Sequence, residues 1–120
     1  MKCLTIKEPY ASQIALGKKT YETRSWKTNY RGEIYIHTGK KVMPDPVENC
    51  KHVLPLGHIV LKANLTDCIY MDDDFIEEVK QDQDEFNYGF YSAGRYAWKL
   101  ENVEPVNPIE AKGKLGIWTY

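Results

Sequence analysis

A period of two is the feature that most constrains this chain. Residues 33–38, EIYIHT, put Ile34 and Ile36 on one face and Tyr35 and His37 on the other. The run from His58 to about Asp67 alternates likewise, with Ile59, Leu61, Ala63 and Leu65 on one side and His58, Val60, Lys62 and Asn64 on the other. Shorter segments at 3–7, 20–26, 95–103 and 114–120 also read as strands, and in the third Tyr96, Trp98 and Leu100 share a face. Two stretches break this rhythm. Pro9 suits a first helical turn and Gly17 a helix stop, predicting a helix over 9–16 with Ala11 and Ile14 toward a core and Gln13 and Lys18 outward. Residues 72–81 crowd acids at their start and line up Phe75, Ile76 and Val79, predicting a second helix. The proline-rich stretch 42–57 and the aromatic stretch 83–94 read as loops.

Two helices among about six strands lack the regular alternation of a doubly wound sheet. The expected fold is mixed α+β: one domain over residues 1–120, a small and mostly antiparallel β-barrel with two short flanking helices. Ligands of such folds lie at a mouth or beside a helix. A chain of 120 residues supports one sizeable core, and its 42% apolar content argues against disorder. No apolar run approaches the ~20 residues that span a bilayer. The opening MKCLTIKEPY lacks a long apolar segment, so a cytoplasmic protein without a membrane partner is expected. Cys3, Cys50 and Cys68 are irregularly spaced, which fits reduced thiols. Cys50, His52 and His58 lack the paired spacing of a zinc site, so neither metal nor cofactor is expected.

The net charge of −1 hides an asymmetry. Residues 1–62 hold eleven Lys/Arg against five Asp/Glu, whereas residues 63–120 hold five against twelve. The segment from Lys18 to Lys41 is the basic part and suggests a cationic face, unless the two halves pair their charges across the surface.

The stretch 16–26, LGKKTYETRSW, carries the densest chemistry. As a strand it puts Thr20, Glu22, Arg24 and Trp26 on one side, and Glu22 and Arg24 are close enough for their side chains to meet. A guanidinium held by a carboxylate presents a planar fork to a phosphate, a carboxylate or a base edge, and Trp26 offers a stacking surface. The alternative is an exposed ion pair worth ~0–1 kcal/mol. The aromatics Phe86, Tyr88, Phe90 and Tyr91 either close over a flat ligand or pack on the sheet. His37 is the best-placed histidine. Nucleophile-elbow, phosphate-loop and zinc-protease patterns are absent.

The segment CLTIKEPYASQIALGKKTYETRSW, with GHIVLKANLTDC at 57–68 and GRYAWKLENVEPV at 94–106, resembles an ASCH domain of the PUA-like superfamily. The G-x-K-T-x-E-x-R pattern from Gly17 to Arg24 is its most specific piece. The resemblance implies a barrel whose cleft, between the first helix and the sheet, is floored by Lys19 and Arg24. It implies a function in binding RNA or a modified nucleoside, with Tyr10, Lys18, Lys19, Thr20, Arg24, Trp26, His37 and Arg95 as candidate contacts. The expected partner is therefore RNA, a nucleoside or a nucleotide, and a monomer is favoured.

Some small ASCH proteins hydrolyse N4-acetylcytidine with a lysine, a threonine and a glutamate. Lys19 matches that lysine, Glu22 stands where the threonine would be, and Glu77, Glu78 and Glu85 lie in the region of the glutamate. An amidohydrolase or ribonuclease using Lys19 and Glu22 is thus one alternative, and a non-enzymatic protein-interaction adaptor is another.

Overall fold

The strand foreseen at His58 becomes the spine of a single sheet. The computed structural model describes residues 1–44 and 53–120, so Cys50 and His52 of the metal reading lie outside the described residues. In chain order the elements are β1 (Lys2–Glu8), α1 (Tyr10–Ala15), β2 (Tyr21–Arg24), β3 (Gly32–Val42) and β4 (His58–Tyr70), then α2 (Asp73–Val79), α3 (Gln83–Asn87), β5 (Tyr96–Glu110) and β6 (Ile117–Thr119). The six strands lie in the order β2-β5-β4-β3-β1-β6. Only β1 and β3 run parallel, and the other pairings are antiparallel.

This is a mixed α+β fold as expected, but the sheet does not close into a barrel. Its outer strands, β2 and β6, are four and three residues long and pair only inward. Strands that short also limit the exposed edge open to unwanted pairing. The main core fills one side, where Leu4, Ile6, Ile34, Ile36 and Trp98 pack with Ala11 and Ile14 of α1. A smaller cluster of Cys3, Ile59 and Trp118 packs separately.

Three local differences from the sequence reading have physical causes. Register shifts between Ile59 and Leu61 and again between Lys62 and Asn64 break the alternation of β4, so both Val60 and Leu61 enter the main core. Strand β5 continues past residue 103 through Pro105 and Pro108, because β2 pairs only with its residues 96–99 and leaves the later residues an unpaired edge. A third helix, α3, replaces part of the aromatic loop: the Asp82 carboxylate caps it by accepting from Glu85 N at 3.2 Å. In α1, Gln13 is buried rather than outward, at 2% exposure.

Candidate functional site

Strand β2 delivers its side chains as the alternation foretold. Arg24 Nη2 lies 3.1 Å from Glu22 Oε2 and donates a second bond to the Thr5 carbonyl at 2.8 Å. The guanidinium is flanked by two indoles, with its Cζ 5.5 Å from the Trp26 ring centroid and 6.0 Å from that of Trp98. Trp98 in turn donates its Nε1–H to the Trp26 carbonyl at 3.1 Å. Arg24 is thereby held in place through its Nη2, which donates to both Glu22 and the Thr5 carbonyl.

Lys19 enters at the end of the turn after α1, and the fold buries it. It is 3% exposed, and its Nζ finds no hydrogen-bond partner among the described residues. Burial drives its pKa below the ordinary value of 10.5; Glu22 and Glu85 oppose that shift, and Arg24 adds to it. Both acidic neighbours are themselves buried. Glu85 is held by the backbone N–H of Thr20 at 2.6 Å and by the Tyr91 hydroxyl at 2.9 Å. Burial and the Glu85 charge raise the pKa of Tyr91, so its hydroxyl remains a donor. The result is an amine between two carboxylates that each have donors of their own.

Beside this cluster lies a cleft of about 670 Å³. Glu22 and Tyr91 line it, as do Tyr10, Phe86 and Phe90, with Lys7 and Arg95 contributing positive charge. Arg95 donates from Nε to the Phe90 carbonyl at 3.0 Å, and its guanidinium lies over the Phe90 ring at 4.3 Å. Phe90 is 63% exposed, leaving ring surface for a ligand, and its N–H is tied to Thr23 Oγ1 at 3.0 Å.

Of the residues foreseen in the site, Tyr10, Glu22 and Arg95 line this cleft, while Lys19 and Arg24 do not. Thr20 participates through its backbone, Lys18 is exposed, and Trp26 packs edge-on against Trp98 at 5.9 Å. His37 lies elsewhere. It lines a second cavity of about 940 Å³ with Thr5, Gly113 and three lysines. Its Nε2 is 2.7 Å from the Ala111 carbonyl, which can only accept, so Nε2 carries the hydrogen. Trp118 Nε1–H donates to Thr5 Oγ1 at 3.0 Å, leaving the Thr5 hydroxyl hydrogen for His37 Nδ1 at 3.2 Å. Sequence reasoning missed Lys7 as a cleft residue, whereas Tyr91 stood among the aromatics read as closing over a ligand or packing on the sheet. It held Glu85 only as one of three acids, although the Asp82-x-x-Glu85 spacing is a helix-start signal that places it.

The ASCH domain family profile matches residues 4–112, and the chain belongs to that family. Among solved structures, a mutant form of ZmASCH from Zymomonas mobilis is similar, with a TM-score of 0.59 and 18% identity over 91% of this chain and 74% of that one. At that identity the likeness bears on the fold alone. No curated protein matches the chain. No helix among the described residues is long and apolar enough to cross a membrane.

Proposed function

We propose that this ASCH domain binds a nucleotide or modified nucleoside, free or within RNA, in the cleft between α1 and the α3–β5 segment. One observation supports this above the others: a cleft of about 670 Å³ joins aromatic walls to a basic rim and a charged floor. Tyr10, Phe86 and Phe90 offer faces on which a base can stack, an interaction worth about 1–3 kcal/mol per base. Lys7 and Arg95 suit a phosphate, and Glu22 suits the amino edge of a base. The common association of ASCH domains with RNA points the same way. A thermal-shift and calorimetric panel of nucleosides and nucleotides tests the reading. Binding that weakens at least tenfold in Phe90→Ala and Arg95→Gln is the expected result, and no binding by the wild type refutes it.

A hydrolytic reading rests on Lys19. Burial lowers the pKa of Lys19 toward the neutral form that a base or nucleophile needs, and Glu22, which lines the cleft, suits a general base for an attacking water. This reading predicts turnover of N4-acetylcytidine that disappears in Lys19→Ala. A wild type that binds the nucleoside without converting it contradicts it.

A further inference from the structure

The second cavity lies outside the cleft, and its chemistry is different. Its rim carries Lys40, Lys112 and Lys114, with Glu110 as the one acid among its lining residues. None of these lysines makes an ion pair among the described residues. By contrast Lys62, Lys80 and Lys99 are paired to Glu104, Glu77 and Glu101 at 2.9, 3.0 and 3.2 Å. Three neighbouring cations that form no ion pair among the described residues are a standing attraction for an anion, and salt weakens it.

The backbone beneath these lysines is held in place. His37 Nε2–H donates to the Ala111 carbonyl at 2.7 Å, and Ala111 N–H donates to the Gly57 carbonyl at 3.1 Å. Gly113 lies so close to β1 and β3 that a Cβ there would come within 2.7 Å of Thr5 Oγ1 and 2.9 Å of His37 Cε1. The segment bearing Lys112 and Lys114 is therefore clamped at its middle. Lys40 is laid down similarly, its Cε 3.2 Å from where a Gly57 Cβ would be.

The two cavities approach each other where Lys7 lies against Gly39. Lys7 lines the cleft, and its Cγ is 3.9 Å from the Cβ position of Gly39, which lines the second cavity. Positive charge thus runs from the cleft, over Lys7, to Lys40, Lys112 and Lys114.

We propose that the second cavity is a phosphate track, in which Lys40, Lys112 and Lys114 hold the backbone of a single-stranded nucleic acid whose neighbouring nucleotide occupies the cleft. The proposal rests on the nucleotide reading of the cleft and extends it: the substrate is a strand rather than a free nucleoside.

The test compares the wild type with the triple variant Lys40→Gln, Lys112→Gln, Lys114→Gln. Fluorescence anisotropy follows labelled RNA and DNA single strands of about twelve nucleotides, and calorimetry follows cytidine monophosphate. The triple variant is expected to bind the strands about tenfold more weakly at low salt. Its log–log salt slope is expected to be shallower by about 2, since each phosphate that a lysine neutralises on a single strand adds ~0.7 to the slope. Its affinity for the mononucleotide is expected to be unchanged. Equal losses for RNA and DNA assign the track to the phosphates common to both, and a loss with RNA alone assigns it to RNA. Unchanged strand affinity and slope overturn the proposal, as does a wild type that binds no strand or a parallel loss of mononucleotide binding. Lysine-dependent strand binding without any mononucleotide binding supports the track while refuting the cleft reading.

Discussion

Lys19 and His37 are equally hidden, at 3% and 2% exposure, yet their surroundings treat them in opposite ways. Both nitrogens of His37 are within hydrogen-bond distance of a partner, and the ring ties β1, β3 and the end of β5 together. The Lys19 amine has no hydrogen bond among the described residues and only the fields of two carboxylates. A buried polar group that is satisfied is structure. One left unsatisfied costs stability, and such a cost is characteristic of sites reserved for a ligand or a reaction. In the proposed readings, function around His37 falls to the exposed lysines that line its cavity, whereas around Lys19 it falls to the buried group and the acids beside it.

The sharpest way to break this comparison is to remove what holds the Lys19 side together. Glu85→Ala strips partners from Thr20 N–H and the Tyr91 hydroxyl and leaves the buried Lys19 amine with one acid fewer beside it. Chemical denaturation is expected to show a loss of about 2–6 kcal/mol, since two donors are orphaned at ~1–3 kcal/mol each. Next comes the direct contrast of the two buried groups. His37→Ala orphans the Ala111 carbonyl and is expected to cost about 1–3 kcal/mol. Lys19→Met is expected to leave stability within about 1 kcal/mol of the wild type or above it, because Glu22 keeps Arg24 and Glu85 keeps its own donors. A Lys19→Met loss larger than that of His37→Ala makes the amine a structural part and inverts the comparison.

A smaller effect is read with pH. The folded pKa of Lys19 is lowered, so between that value and 10.5 the unfolded chain binds a proton that the folded chain does not. Stability from this site therefore rises with pH across that window and falls as pH drops through it. The stability difference, wild type minus Lys19→Met, is expected to grow as pH rises toward 10.5, with other titrations cancelling. A flat difference contradicts the shift. Smallest of all is Lys18→Ala. That neighbour is exposed, and its removal is expected to move the unfolding free energy by no more than about 0.5 kcal/mol.

Much of this was legible in the sequence where geometry is local. Alternation put Glu22 and Arg24 on one face, and they meet at 3.1 Å. It could not say whether the sheet's edges would join, since period two records faces and not closure, and β2 and β6 stay apart. The burial of Lys19 was out of reach because Glu85, a main contributor to its surroundings, arrives 66 residues later on a helix read as loop. The role of His37 was equally hidden, being decided by Ala111 and Trp118 at the far end of the chain. The basic segment from Lys18 to Lys41 misled in a useful way. Its charges do not form one face: Lys19 is buried beside the cleft, and Lys40 rims the other cavity.

The central claim is that the fold keeps the Lys19 amine buried beside the cleft, without a hydrogen bond among the described residues and with its pKa lowered from 10.5. A pH titration of the labelled lysine side chains by heteronuclear NMR, with Lys19 assigned by its absence from Lys19→Met, tests that claim most directly. A Lys19 signal that titrates below 10.5 is the predicted result. A Lys19 signal that titrates at or above 10.5 contradicts it.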